Sequence, residues 1–330
     1  MRRWLVPITL SLLLTIGTLA VVETVARNTV QVDLKHPSDS LTELFVPDDD
    51  TFWGLRPNYW ADSPHLKVRW GNEPIAINSL GMRGTEIKVE KPAGVRRVVV
   101  LGGSHPMGMW VKSREAYAAV LERLLNARQP GKWEVLNYAV AGYTSWQGVL
   151  QMRTKVPRLS PDIIISDLGV NDSLERVPWG LSRSDHQVRK APIPVAALLS
   201  TLRRESVAYR WALQRITEKA NTDLSVRVSR RDHVDHAKQI AALANEEGAK
   251  TLFMNHFMAN VTSPGVMNNH GPKCLYPEDE LDPVVDVCGL FADRTDLGKL
   301  FADPVHANAA GHTMIANAVL DKLLALGWVE

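Results

Sequence analysis

Four short stretches carry residue types that together suit acyl transfer. Gly102-Gly103-Ser104 follows the apolar run Val98 to Leu101, and Gly142 closes Asn137-Tyr138-Ala139-Val140-Ala141-Gly142. Gly169-Val170-Asn171-Asp172 follows Ile163-Ile164-Ile165, and Asp303-Pro304-Val305-His306 stands near the C-terminus. A serine hydroxyl becomes a useful nucleophile only when a base takes its proton. His306 is a base of that kind for Ser104, and Asp303 can hold its other ring nitrogen in the right tautomer. Asn171 offers a side-chain amide donor that adds no charge, which suits a developing oxyanion.

Each stretch alone has a plainer reading. A Gly-Gly-Ser after a strand can be an ordinary turn or a loop that cradles a phosphate, although the helix after it lacks the Lys of a nucleotide-binding P-loop. Gly142 can serve only a turn, Asn171 can be a turn asparagine, and Asp303 can be a helix cap. The four in this order, at the ends of apolar runs, favour one shared site.

The elements that must position them alternate between strand and helix. Val98 to Leu101 is short and fully apolar, as in a parallel sheet covered on both faces. Glu134 to Val140, Asp162 to Leu168 and Lys250 to Asn255 read as further strands. Arg114 to Arg128 has helical spacing, Thr144 or Ser145 can cap a helix to Val156, and Ala191 to Lys219 and Asp232 to Glu247 read as helices. Ala307 to Leu326 reads as the last helix, with Gly327 placed to end it. This alternation predicts an α/β fold, a doubly wound and mostly parallel sheet flanked by helices. Ligands in such sheets bind beyond the carboxyl ends of the strands, where Ser104, Gly142 and Asn171 fall.

On these residues the chain resembles the SGNH/GDSL hydrolase family over about residues 70 to 330. The resemblance implies a flavodoxin-like sheet, Ser104 as nucleophile, His306 and Asp303 as its partners, and an oxyanion hole of the Ser104 and Gly142 N–H groups and the Asn171 amide. It implies an esterase acting on carboxylic esters, with no cofactor and no metal. The family's first block usually has Asp where this chain has Gly103, and His105-Pro106 after the serine is also unusual. The pattern Asn78-Ser79-Leu80-Gly81-Met82-Arg83 is similar to one that often precedes the serine block in exported members.

The chain has 330 residues and a net charge of +2, too balanced for a protein built around nucleic acid. Met1-Arg2-Arg3 precedes an uncharged apolar stretch from Trp4 to Val22, which at 1.5 Å per residue spans roughly 28 Å. The expectation is an N-terminal transmembrane helix that anchors the chain and exports the body, in the periplasmic or extracellular space. A cleaved signal peptide ending near Ala26 is the competing reading and would give a secreted protein. Cys274 and Cys288 can then form a disulfide, closing a loop of about 15 residues and stabilising by on the order of 3 kcal/mol.

The expected organisation is an anchor or leader at 1–27, a stem and strand-containing lead-in at 28–92, and a hydrolase domain at 93–330. The basic-biased stretch from Ser173 to Arg231 reads as a helical insertion over the site. His233 and His236 share a helix face at a spacing that suits a metal, but the capped start of a solvated helix is the preferred reading. Trp110, Trp146 and Trp179 follow three of the blocks and could hold an acyl chain or sugar, or simply pack. The expected substrate is an O-acyl ester, acetylated carbohydrate ahead of lipid. The rivals are an acyltransferase using the same residues and a non-catalytic anchored binding protein.

Overall fold

The computed structural model describes residues 2–29, 43–173, 226–259 and 281–330, with short pieces at 198, 202, 206–209, 211–212, 261–263, 266–267 and 273–275. The expected insertion therefore lies largely outside the described residues, as does Trp179.

Five parallel strands form the central sheet: β1 (Arg96–Gly102), β2 (Trp133–Asn137), β3 (Ile163–Asp167), β4 (Lys250–Met254) and β5 (Val284–Val285). Their spatial order is β2-β1-β3-β4-β5, and every pairing is parallel. This is the flavodoxin-like order, with the chain reversing direction across the sheet beside β1 and β3. Ser104 follows β1 at that reversal, and Asn171 follows β3.

Side chains of β1 alternate between two cores, as the period of a strand requires. Val98 and Val100 meet helices α2 (Tyr117–Arg128) and α5 (Ala309–Ala325) on one face. Val99 and Leu101 meet α3 (Ser145–Thr154) and α4 (Arg230–Glu246) on the other. Both faces are dry, which is why these strands read as unbroken apolar runs.

Helix starts follow local chemistry. Thr144 precedes α3, and its backbone N–H donates to Gln147 Oε1 at 2.8 Å. Ser229 caps α4 by accepting from the N–H of Asp232 at 3.1 Å. Asn308 caps α5 by accepting from Ala310 and Gly311. Gly327, at φ 64°, follows its end.

The lead-in before the sheet builds a hairpin, Phe45–Asp48 with Phe52–Leu55, and a short pair, Trp60–Ala61 with Ile75–Ala76. Asp48 makes the hairpin turn by accepting from the N–H groups of Asp50 and Thr51. Leu44, Leu55, Trp70, Ile75, Ile77 and Met82 lie in the same core as Val99 and Leu101. At about 2 kcal/mol per buried large apolar side chain, this docking is substantial.

The N-terminus forms one helix, α1 (Arg2–Thr29). Among the described residues, no helix is long and apolar enough to cross a membrane. The side chains of residues 1–10 and 12 lie outside the description, and the remainder of α1 carries Thr15, Thr18, Glu23, Thr24, Arg27 and Asn28. The expected spanning helix is thus not found among the described residues.

Candidate active site

Ser104 opens a single helical turn, Ser104–Met107, directly after β1. The two glycines before it are required by space. A Cβ on Gly102 would overlap Pro106 and the carbonyl of Asp167, and one on Gly103 would overlap Asn171 Nδ2. The turn leaves Ser104 only half-buried, whereas the strand behind it is buried from Arg97 to Gly102.

His306 reaches Ser104 from the loop before α5. Its Nε2 lies 2.7 Å from Ser104 Oγ, and its Nδ1 lies 2.7 Å and 2.8 Å from the two oxygens of Asp303. With the Nδ1 proton donated to Asp303, Nε2 is the acceptor for the Ser104 hydroxyl. Asp303 is fixed in turn by the N–H groups of Val305 and His306 on Oδ1, and by Trp110 Nε1 on Oδ2 at 2.7 Å. Burial pushes its carboxyl up, but hydrogen bonds from His306, Val305 and Trp110 and the charge attraction of His306 outweigh this and hold it at about 2. Asp303 therefore carries a negative charge beside the imidazole throughout the neutral range.

Of the expected oxyanion donors, Asn171 lines one recess with Ser104, while Gly142 stands in the neighbouring loop after β2. Gly142 has φ 85°, a conformation that favours glycine, and its carbonyl accepts from Arg227 Nη1 at 2.7 Å. Asn171 is buried, and its Nδ2 donates to Tyr143 O at 2.9 Å while lying against the Gly103 backbone. The two loops are therefore joined beside Ser104. Tyr143 is held from the lead-in, with its hydroxyl donating to Trp53 O at 2.5 Å.

Asp172, next to Asn171, has no exposed surface and joins three elements. It accepts from the Ser145 N–H of α3 at 2.8 Å and pairs with His233 Nδ1 of α4 at 2.8 Å. His236 Nδ1 meets Ser145 Oγ at 2.8 Å. The helix start at Asp232 is capped as expected, but His233 and His236 are not on a solvated face. Both point inward because Asp172 and Ser145 offer partners there, and this orientation depends on the packing of α4 against α3. Among the described residues, no group of three or more His, Cys, Asp or Glu side chains could hold a metal ion.

A second polar cluster lies beneath the serine. Asp167, at the end of β3, is 2% exposed, with His105 and His256 each 3.3 Å away. Burial pushes the Asp167 carboxyl up, but the two histidines outweigh it and hold it low. His105 stacks on His312 of α5 at 5.2 Å between ring centroids, and burial pushes His312 down. Sequence reasoning missed this cluster; an aspartate ending an apolar strand beside two unassigned histidines was the available signal.

Of the three tryptophans, Trp110 is a hydrogen-bond donor to Asp303, and Trp146 tilts against His236 at 5.3 Å. The sequence offers Trp110 as an acyl or sugar surface or as packing, not as a donor to Asp303, and gives Asp172 no role. Cys274 and Cys288 are bonded to each other, with their Cα atoms 5.6 Å apart.

The family model described as GDSL-like Lipase/Acylhydrolase matches residues 100–266, half of the chain. No curated protein matches the chain significantly. Among solved structures, the chain is similar to TesA, with 16% identity over 70% of this chain and 99% of that one, and a TM-score of 0.43. It is also similar to the lipase/acylhydrolase from Enterococcus faecalis, at 13% identity over 72% and 98% with a TM-score of 0.40. A third likeness is a catalytic mutant of Axe2, an acetylxylan esterase from Geobacillus stearothermophilus, at 13% identity over 71% and 96% with a TM-score of 0.39. The match of the family model to half the chain, across the serine, glycine and asparagine blocks, decides the assignment: the chain belongs to the GDSL-like lipase/acylhydrolase family and is an ester-hydrolysing enzyme.

Proposed function

We propose that the enzyme hydrolyses short O-acyl esters, acetyl above all, through an acyl-enzyme on Ser104. The observation that carries this reading is the continuous relay from Ser104 Oγ to His306 Nε2 and from His306 Nδ1 to Asp303. As Ser104 Oγ bonds to the ester carbonyl carbon, its proton passes to His306 Nε2. The carbonyl oxygen becomes an oxyanion that accepts from the N–H groups of Ser104 and Gly142 and from Asn171 Nδ2. When the C–O bond breaks, the leaving alcohol takes the proton from His306. Water then adds to the acyl-serine, gives its proton to His306, and the carboxylic acid departs as Ser104 regains its hydrogen.

A short acyl group is supported by the recess beside Ser104, lined by Gly103, Asn171, Val170 and Val305, with only about 10 Å³ open. That is room for little more than a water or a methyl group. Export of the body is supported by Arg2-Arg3 before the uncharged Trp4 to Val22 and by the Cys274–Cys288 bond, which suits an oxidising compartment. In this reading the N-terminal helix tethers the enzyme at the membrane, and an acetylated surface carbohydrate is the substrate.

The test is a serine-reactive fluorophosphonate with a short chromogenic ester as the second readout. Wild type should be labelled and turn over, whereas Ser104→Ala, with an unchanged thermal melt, should do neither. Turnover by Ser104→Ala at the wild-type rate would remove Ser104 as nucleophile. Adding an acetylated glycan with an acceptor sugar separates hydrolysis from transfer, since hydrolysis releases free acetate. A reporter that works only outside the cytoplasm, fused after Glu330, should be active if the body is exported.

A further inference from the structure

The loop after the nucleophile turn is held by the lead-in, and it carries the indole that meets Asp303. Arg83 is buried, and its Nη1 donates to Met107 O at 3.0 Å and to Gly108 O at 2.6 Å. Its Nη2 donates to Val111 O at 2.8 Å, and the guanidinium lies 4.8 Å from the centre of the Trp70 ring. One planar cation thus spans three carbonyls of a single loop, a geometry the fork of arginine provides and a lysine ammonium does not. Burial draws this guanidinium down to about 10, so it stays charged in the neutral range.

Two further contacts fix the same loop. Trp110 N–H donates to Arg69 O at 2.7 Å, and a Cβ on Gly71 would overlap the backbone of Lys112. Trp110 itself sits at φ 72°, a conformation that a tryptophan rarely adopts and keeps only where its surroundings impose it. In that conformation its Nε1 donates to Asp303 Oδ2, on the far side of the carboxylate from the backbone donors to Oδ1.

We propose that Trp110, set in place by Arg83, is a positioning residue for the Asp303–His306 pair. The inference rests on the reading of Ser104, His306 and Asp303 given above. Trp110 touches no reacting atom. Its hydrogen bond orients Asp303 so that the carboxylate meets His306 Nδ1 with both oxygens, and it withdraws charge that would otherwise hold the imidazolium proton more tightly. The segment with the Asn78 to Arg83 pattern thereby acts on the catalytic pair through the Met107–Val111 loop and the Trp110 indole. Among the described residues, the ionisable groups that interact with His306 include Asp303 from its own loop and His312 from α5, which also feels His105 and Arg83.

The decisive variant is Trp110→Phe, which keeps the ring and removes the donor. It should lower kcat roughly tenfold with KM little changed, the pattern of a group that matters as charge develops. The acid limb of its kcat/KM profile should move to higher pH, since a carboxylate with one donor fewer holds the imidazolium proton more strongly. Arg83→Lys should also lower kcat, and the double variant should be no slower than Trp110→Phe alone, because both losses pass through one indole. A melt separates loss of fold from loss of position, and Trp110→Phe stands alone if Arg83→Lys fails to fold. Wild-type kcat and an unmoved acid limb in Trp110→Phe, with wild type active and labelled, would overturn the inference and leave the serine mechanism standing. Wild type that neither turns over nor labels would overturn both.

Discussion

The side-chain amide of Asn171 rests against the backbone of Gly103, at the place where a Cβ on residue 103 would stand. Gly103 is where the family usually has aspartate, so its absence here has a steric counterpart across the site. The close approach lets Asn171 hold Tyr143 O and stay beside Ser104.

Gly103→Asp should therefore impair the enzyme although it restores the usual residue. The new side chain must displace the Asn171 amide, and kcat should fall at least about tenfold, since oxyanion donors act only at the right distance. Steady-state kinetics on a chromogenic acetate ester check this; undiminished turnover would show that the approach of Asn171 is incidental.

Removing the amide itself is the complementary experiment. Asn171→Ala should lower kcat by roughly 10²–10³-fold with KM almost unchanged, the usual cost of one oxyanion donor. Fluorophosphonate labelling should slow but persist. An unchanged melt together with unchanged kcat would sink the assignment.

Asp172→Ala should act first on stability. It leaves the Ser145 N–H and His233 without their buried partner, at a cost of roughly 3 kcal/mol in urea unfolding. Because the same carboxylate joins the Asn171 loop to α3, kcat should fall as well. A variant as stable as wild type would show that the pair at 2.8 Å contributes nothing net.

Asp303 also sets a dependence of stability on pH. Its carboxyl is held at about 2 in the folded enzyme, below the value near 3.8 it has when free. A lowered folded value means that the stabilisation is complete above the free value and disappears as pH falls toward 2. The contribution is about 2 kcal/mol. Unfolding of wild type and Asp303→Asn should differ by that amount at neutral pH and converge near pH ~2. A constant difference across the range would show that the charge of Asp303 is not what stabilises.

Much of this arrangement is legible in the sequence, for definite reasons. Four of the five strands are read from apolar runs such as Val98 to Leu101, because a sheet covered on both faces leaves no polar alternation. The fifth, Val284–Val285, is too short to carry a period. Ser104, Asn171 and His306 are legible because each ends or begins an element. The bond between Trp110 and Asp303 is not, since nothing local marks a contact across 193 positions. The inward turn of His233 and His236 is equally hidden, because a polar residue near a helix start is ordinarily solvated and only Asp172 and Ser145 reverse that here.

The shared core of lead-in and sheet determines where the polypeptide can be severed. Leu44 and Leu55 already belong to the layer that covers Val99 and Leu101. A protease acting between Thr29 and Glu43 would shed the N-terminal helix and spare every contact described around Ser104. A fragment begun at residue 93 would instead lose Arg83 and Trp53 and uncover one side of β1. A catalyst that keeps this core intact must therefore retain the lead-in from Leu44 onward together with the sheet it covers.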